Sequence, residues 1–144
     1  MFLGRSQKLG VLGKVPLFSG LSQRHLGVIA RHADEVKLDR GKVLATQGQH
    51  GLEFLVIVDG SVRVERDGKV IARLGAGDFF GVMSLIDGKP RTATVIAEKP
   101  VSLLVIHRRV FGHLLDAIPG LQNKILVSLC ERLRQADARL ASVN

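Results

Sequence analysis

The sequence predicts a mainly β fold with flanking helices: an antiparallel β-roll, jelly-roll-like, with a helix before it and a long helix after it. Nine of the 16 glycines fall within residues 41–88, between short β-branched runs. Asp-Gly pairs at 59–60 and 67–68 are typical of tight turns that join antiparallel strands. At both ends of the chain, apolar residues recur instead at helical spacing.

The length limits the number of domains. A chain of 144 residues and 15.6 kDa corresponds to one domain, and 46% hydrophobic residues suffice for a core. We therefore expect a single domain over residues 1–144. Its β-roll should span about 36–107 and its C-terminal helices about 108–143.

The first predicted helix covers residues 22–33. Ser22 is a suitable N-cap, and Pro16 and Gly20 indicate a turn before it. Its apolar positions have the 3.6-residue period of an amphipathic helix: Leu26, Ile29, Ala30 and Ala33.

Five strands can be placed from their apolar runs, in a roll of about eight. They are residues 54–58, 62–64, 70–74, 92–97 and 101–107. Glu98-Lys99-Pro100 separates the last two. Between the third and fourth lies a short segment, 82–86, long enough for about one and a half helical turns.

Two helices follow the roll, at 108–116 and from Pro119 onward, since proline suits a first helical turn. The second carries apolar residues at heptad spacing: Leu126, Leu129, Leu133, Ala136, Leu140 and Val143. One interpretation is a helix packed on its own domain. The other is a parallel pair in a homodimer, through Leu126, Leu129, Leu133 and Leu140.

The net charge of +8 suggests a nucleic-acid partner, but its distribution does not. Residues 1–42 have a net charge of +5, residues 43–100 are neutral, and residues 101–144 have +3. The chain has no Trp or Tyr, so it lacks the stacking surface of single-strand readers. We expect no direct DNA binding.

No catalytic or metal-binding constellation is present in the sequence. The five His residues are scattered, and a single cysteine excludes an intramolecular disulfide and a multi-cysteine zinc site. We expect neither enzymatic activity nor a metal or cofactor. Cys130 lies beside the heptad positions, where a small buried side chain is expected.

No segment reads as a membrane helix or a signal peptide. The apolar run at 103–106 is far shorter than the roughly 20 residues that a membrane helix requires. The basic N-terminus is interrupted by glycines and has no apolar centre. We expect a cytoplasmic protein without a membrane partner.

The stretch from Leu74 to Val95 carries the strongest indication of a site. Gly75 and Gly77 permit a tight turn, and Gly81 precedes the short helix. A loop at 87–90 then leads to Arg91. Free N–H groups at a helix start, opposite an arginine, could bind an anion. An ordinary crossover with a surface arginine is the alternative.

Several motifs make this chain resemble the cyclic-nucleotide-binding domain of bacterial catabolite activators, cyclic-nucleotide-dependent kinases and channels. The similarity runs from about Pro16 to Leu133. The motifs are Gly41, Leu44 and Gln47-Gly48, the Asp59-Gly60 turn, L-G-x-G-D-x-F-G from Leu74 to Gly81, and P-R-T-A-T-V from Pro90 to Val95.

The resemblance implies a phosphate-binding cassette that holds cAMP or cGMP as ligand. In this chain its residues would be Gly81, Val82, Met83, Ser84, Arg91, Thr92 and Ala93. Arg91 would pair with the cyclic phosphate, while Thr92 offers a hydroxyl or N–H and Ala93 its backbone. The base would lie toward Arg132, Ala136 and Asp137. A shift of the C-terminal helices would then carry a signal.

One position departs from the family pattern. The family has F-G-E, whose glutamate accepts from the ribose 2′-hydroxyl, whereas this chain has Val82 there. Losing a charge-assisted hydrogen bond costs about 1.5–3 kcal/mol. Affinity is then weak, the ligand differs, or Ser84 or backbone groups substitute. The sequence therefore leaves two interpretations: a regulatory sensor domain, or a degenerate domain that serves structure or dimerisation.

Overall fold

The centre of the protein is an antiparallel β-roll of two four-stranded sheets, as the sequence predicts. The structure is a computed structural model that describes residues 2–136. The strands are β1 (Asp34–Leu38), β2 (Val43–Ala45), β3 (Glu53–Asp59), β4 (Ser61–Arg66), β5 (Lys69–Gly75), β6 (Phe79–Phe80), β7 (Thr94–Ala97) and β8 (Val101–His107). One sheet has the order β1-β8-β3-β6, and the other has β2-β7-β4-β5.

Residues 54–58 of strand β3 are all apolar, because both faces of the strand are covered there. Phe54 and Val56 pack with the helices in one core cluster, which we call the helix-side cluster. Leu55 and Ile57 point the opposite way, into a second cluster between the two sheets. Strand β8 alternates in the same manner, as strand geometry requires. Helices therefore cover one sheet of the roll, and the second sheet closes it.

Among the described residues, five helices surround or interrupt the roll: α1 (Arg5–Lys14), α2 (Gln23–His32), α3 (Val82–Asp87), α4 (Arg108–Ala117) and α5 (Leu121–Ala136). Helix α2 begins where the sequence predicts, and the Ser22 side chain accepts a hydrogen bond from the His25 amide at 3.1 Å. In the described part of the chain, no helix is long and apolar enough to span a membrane.

Helix α1 was not among the predicted elements. Gly10 and Gly13 weaken its intrinsic helicity, and packing compensates for them. Leu12 is fully buried in the helix-side cluster. Lys8 Nζ donates to the Ala33 carbonyl at 2.8 Å, and the Leu3 amide donates to Glu35 Oε1 at 2.6 Å. These tertiary contacts leave no periodic signal in the sequence.

Three predicted start positions move by two residues. The roll begins at Asp34 rather than near residue 36, and β7 begins at Thr94 rather than residue 92. Helix α5 begins at Leu121 and not at Pro119. Gly120 has a φ of +81°, which a right-handed helix cannot include, so the helix starts after it. The predicted helical residues 137–143 lie outside the described residues.

The expectation that Cys130 is buried is wrong, because its side chain is exposed. Helix α5 turns Leu121 and Ile125 toward the helix-side cluster, and Leu129 packs beside them. Cys130 follows Leu129 by one residue, which is about 100° around a helix. It therefore faces away from the core.

Candidate functional site

The candidate site surrounds α3, the short helix inserted between β6 and β7. Gly81 precedes it with a φ of +101°. A Cβ atom at this position would lie 2.5 Å from the Glu53 carbonyl oxygen. Both the backbone conformation and the lack of space therefore require glycine. This close approach fixes where α3 begins relative to β3.

The backbone of Arg91 is hydrogen-bonded to the loop that precedes β3. The Gly48 amide donates to the Arg91 carbonyl at 2.9 Å, and the Arg91 amide donates to the Gln49 carbonyl at 2.8 Å. An antiparallel bridge between His50 and Pro90 adjoins these bonds. The segment that carries Arg91 is therefore held in place before β7 begins.

The Arg91 side chain runs back toward the start of α3. Its Nη2 donates to the Glu53 carbonyl at 3.0 Å. A Cβ atom at Gly81 would lie 3.1 Å from Arg91 Nη1, and one at Gly51 would lie 2.7 Å from Arg91 Cζ and 2.9 Å from Ser84 Cβ. The fold thus brings together Gly81, Ser84 and Arg91, which the sequence places in one site.

The Arg91 guanidinium is half-buried, and its positive charge is not neutralised by a close carboxylate. Within residues 2–136, no acidic side chain approaches it to 4.0 Å. Burial lowers the pKa of Arg91, and the charge of Glu53 partly opposes that shift. The group remains charged at neutral pH. A guanidinium has five N–H donors, so this arrangement is suited to an anion.

The other predicted site residues divide into two groups. Thr92 is exposed and Ala93 half-buried, directly after Arg91, and the Thr92 carbonyl accepts from Arg66 Nε at 3.1 Å. Met83 is 56% exposed on the outer side of α3, whereas Val82 is only 2% exposed and belongs to the helix-side cluster. The Val82 side chain therefore anchors α3 to the core.

Helix α5 reaches the site through Arg132. Its Nη2 donates to the Phe79 carbonyl at 2.7 Å, and its guanidinium lies 4.1 Å from the Phe79 ring centroid. Burial lowers the pKa of Arg132, and the charge of Asp78 partly opposes that shift. Phe79 stands two residues before Gly81, so this contact joins α5 to the start of the site.

The remaining candidates for the nucleotide base are Ala136, the last described residue of α5, and Asp137. Ala136 is exposed, and Asp137 lies outside the described residues. The assignment of both residues stays a prediction.

The predicted heptad positions on α5 do not share one environment. Leu126 and Leu133 are each 61% exposed, whereas Leu129 packs partly against the helix-side cluster. Leu140 lies outside the described residues. The exposed apolar stripe therefore comprises Leu126 and Leu133, with Cys130 between them.

Sequence reasoning missed two components of the site. Gly51, which lets the Arg91 side chain approach the backbone, belongs to the glycine-rich stretch, but its spacing did not distinguish it from turn glycines. The Glu53 carbonyl, which accepts from Arg91, is a main-chain group without a sequence signal. Both lie about 40 residues from Arg91 in the chain, and only the β-roll brings them to it.

Comparison with known proteins finds similarity over the part of the chain that contains the candidate site. The sequence profile described as "Cyclic nucleotide-binding domain" matches residues 35–117. The chain is 30% identical over 130 residues to the cyclic AMP receptor protein of Thermus thermophilus, covering 87% of this chain and 60% of that protein. It is 35% identical over 125 residues to a cGMP-dependent protein kinase of Caenorhabditis elegans, covering 82% of this chain and 16% of the kinase.

The fold agrees with solved structures as well. The catabolite activator protein of Thermus thermophilus superposes with a TM-score of 0.80 at 30% identity, over 89% of this chain and 62% of that one. The chain thus spans less than two thirds of these relatives' length, from 16% of the kinase to 62% of the activator structure. On the profile match and these similarities, the chain belongs to the cyclic nucleotide-binding domain family.

Proposed function

We propose that this domain is a regulatory sensor that binds cAMP or cGMP, with the cyclic phosphate at Arg91. The observation that carries the proposal is the half-buried Arg91 guanidinium, which has no carboxylate within 4.0 Å in the described part of the chain. Residues 43–100, which form most of the roll, have no net charge. The half-buried Arg91 is therefore a more specific indication of an anionic ligand than the net charge of +8. Calorimetric titration with both nucleotides tests the proposal.

The other residues of the site have supporting roles in this proposal. Thr92 supplies its hydroxyl or amide to the phosphate, and Ala93 supplies backbone. Gly81 allows the phosphate and Arg91 to approach the start of α3, where the amides of Met83 and Ser84 lie. Charge-assisted bonds of this kind are about twice as strong as neutral ones.

The signal would leave the site through α5. Arg132 joins α5 to the Phe79 carbonyl and ring, so a ligand-induced movement at the start of α3 reaches the helix directly. Such coupling requires that the nucleotide bind the two arrangements with different affinity. In this proposal Arg132, Ala136 and Asp137 are the neighbours of the base.

Val82 lets the contribution of the sugar be tested. A Val82→Glu variant should bind cAMP or cGMP about tenfold or more tightly, since a carboxylate that turns out of the core can accept from the ribose 2′-hydroxyl at about 1.5–3 kcal/mol. Because Val82 is 2% exposed and packs in the helix-side cluster, the same change should lower the melting temperature. Calorimetry and thermal unfolding measure the two effects.

Val82→Leu serves as the control, because it keeps an apolar side chain at that position. It should not raise the affinity. An unchanged affinity in a folded Val82→Glu protein would contradict the assignment of this position to the sugar.

A second candidate function is a dimerisation module that needs no ligand. The observation that favours it is the exposed stripe of Leu126 and Leu133 on α5, each 61% exposed. A second copy of the chain, with its α5 parallel to the first, would bury both. Leu129 contributes less than its spacing suggests, because it packs on its own domain, and Leu140 would extend the interface.

Leu133→Asp should shift a dimer toward monomer by tenfold or more in dissociation constant, because a charge would be buried in an apolar contact. Sedimentation velocity measures this, with the exposed Gln122→Ala as control. Cys130 offers a second readout, since a parallel pair should form an interchain disulfide under mild oxidation. A parent protein that stays monomeric at high concentration contradicts the module.

Three further expectations belong to the proposed sensor function. The domain regulates and does not catalyse. It acts in the cytoplasm, without a membrane partner, and these residues do not contact DNA directly.

A further inference from the structure

The turn between β4 and β5 lies beside the start of β7 in the same sheet, next to the segment that carries Arg91. We call residues Arg66–Gly68 the hairpin tip. Asp67 has a φ of +53° and Gly68 a φ of +78°, which turns the chain tightly and projects the tip beyond the sheet. All three residues are exposed, so the core does not explain their contacts.

Gln47, in the loop before β3, is bound to the hairpin tip by two hydrogen bonds. Gln47 Nε2 donates to Asp67 Oδ1 at 2.9 Å, and the Asp67 amide donates to Gln47 Oε1 at 2.9 Å. The Gln47 amide also donates to Thr94 Oγ1 at 2.9 Å. Through its side chain and its amide, Gln47 therefore joins this loop to the hairpin tip and to Thr94 at the start of β7.

The loop fixed by Gln47 is the one that holds the Arg91 backbone. Gly48 and Gln49, the next two residues, form the hydrogen bonds to the carbonyl and amide of Arg91. From the same hairpin tip, Arg66 Nε donates to the Thr92 carbonyl at 3.1 Å. The hairpin tip thus makes two contacts near Arg91. Asp67 holds the loop that bonds the Arg91 backbone, and Arg66 holds Thr92, the residue after Arg91.

We infer that Gln47, Arg66 and Asp67 form a clasp that positions Arg91 for its anionic ligand. This rests on the proposed function. The clasp residues bind one another and main-chain groups, so they act through Arg91. Holding a binding residue in place before the ligand arrives removes an ordering cost from binding. Because the bonds are exposed, removing part of the clasp should weaken binding by about three- to tenfold.

Asp67 allows variants that separate the clasp from the turn. Asp67→Gly keeps the positive φ without steric penalty and removes the carboxylate that accepts from Gln47. Asp67→Asn retains a side-chain oxygen and tolerates the left-handed region. Gln47→Ala removes both bonds to Asp67, and Gln49→Ala is its matched control, because Gln49 bonds Arg91 through its carbonyl alone.

The experiment combines nucleotide titration by calorimetry with amide hydrogen exchange by NMR. Gln47→Ala and Asp67→Gly should bind the better of cAMP and cGMP about three- to tenfold more weakly, with faster exchange at the Gly48 and Arg91 amides. Asp67→Asn and Gln49→Ala should match the parent.

Two results overturn the clasp: exchange at Gly48 and Arg91 that is unchanged in Gln47→Ala, or faster exchange with unchanged affinity. If the parent binds neither nucleotide, the proposed function fails. The exchange measurement then decides alone whether the clasp holds the Arg91 segment.

Discussion

Replacing Arg91 by alanine is expected to weaken cyclic-nucleotide binding by at least about 30-fold. Truncating one member of a buried, hydrogen-bonded charge pair costs about 2–5 kcal/mol, and each 1.4 kcal/mol is about tenfold. The phosphate would lose the positive charge that the fold places beside Gly81. The domain itself should stay folded, because the variant gives up a single bond to the Glu53 carbonyl, worth about 1 kcal/mol.

Two further variants test whether the loss of affinity is specific to the Arg91 guanidinium. Arg91→Lys keeps the charge without the planar fork of donors, so its affinity should fall between those of the parent and Arg91→Ala. Arg73→Ala is the control, since Arg73 is 66% exposed and pairs with Glu98 on the second sheet. Arg91→Ala binding as well as Arg73→Ala, measured by calorimetry on folded proteins, would contradict the role of Arg91.

Gly81→Ala is expected to destabilise the domain by about 2–5 kcal/mol. A left-handed conformation costs a residue with a Cβ about 1–2 kcal/mol. At Gly81 the new Cβ would also lie 2.5 Å from the Glu53 carbonyl oxygen, and relieving such an overlap costs about 1–3 kcal/mol. Since that carbonyl accepts from Arg91, nucleotide affinity should fall together with stability.

Gly77→Ala separates the two contributions. Gly77 has a φ of +91°, close to the +101° of Gly81, but an added Cβ there meets no atom within 4 Å. It should therefore lose only the conformational part, about 1–2 kcal/mol. Urea denaturation measures both variants. Equal losses would show that the approach of β3 to the start of α3 is not tight.

The strands were predictable because their side chains face two different surroundings. Leu55 and Ile57 lie between the sheets, while Phe54 and Val56 lie under the helices, and this produces a continuous apolar run. The Asp-Gly pairs at 59–60 and 67–68 indicate where β3 and β4 end. Helix α1 was not predictable in the same way, since it depends on contacts such as Lys8 with the Ala33 carbonyl.

The site was predictable where one segment supplies it, and not where the fold assembles it. Gly81 and Arg91 share a stretch whose glycines and loop are readable in order. Gly51 comes from a distant loop and the Glu53 carbonyl from the start of β3, and only the folded chain brings them next to Arg91. The exposure of Cys130 likewise depends on which face of α5 meets the core, which the heptad spacing alone left open.

Titration of the purified domain with cAMP and with cGMP tests the central claim most directly. We expect saturable heat with one nucleotide per chain for at least one of the two. Acyclic 5′-AMP serves as the control ligand and should bind more weakly. Absence of binding heat for both cyclic nucleotides at millimolar concentration, with the protein folded, would contradict the proposed sensor function and leave the dimerisation module as the remaining candidate.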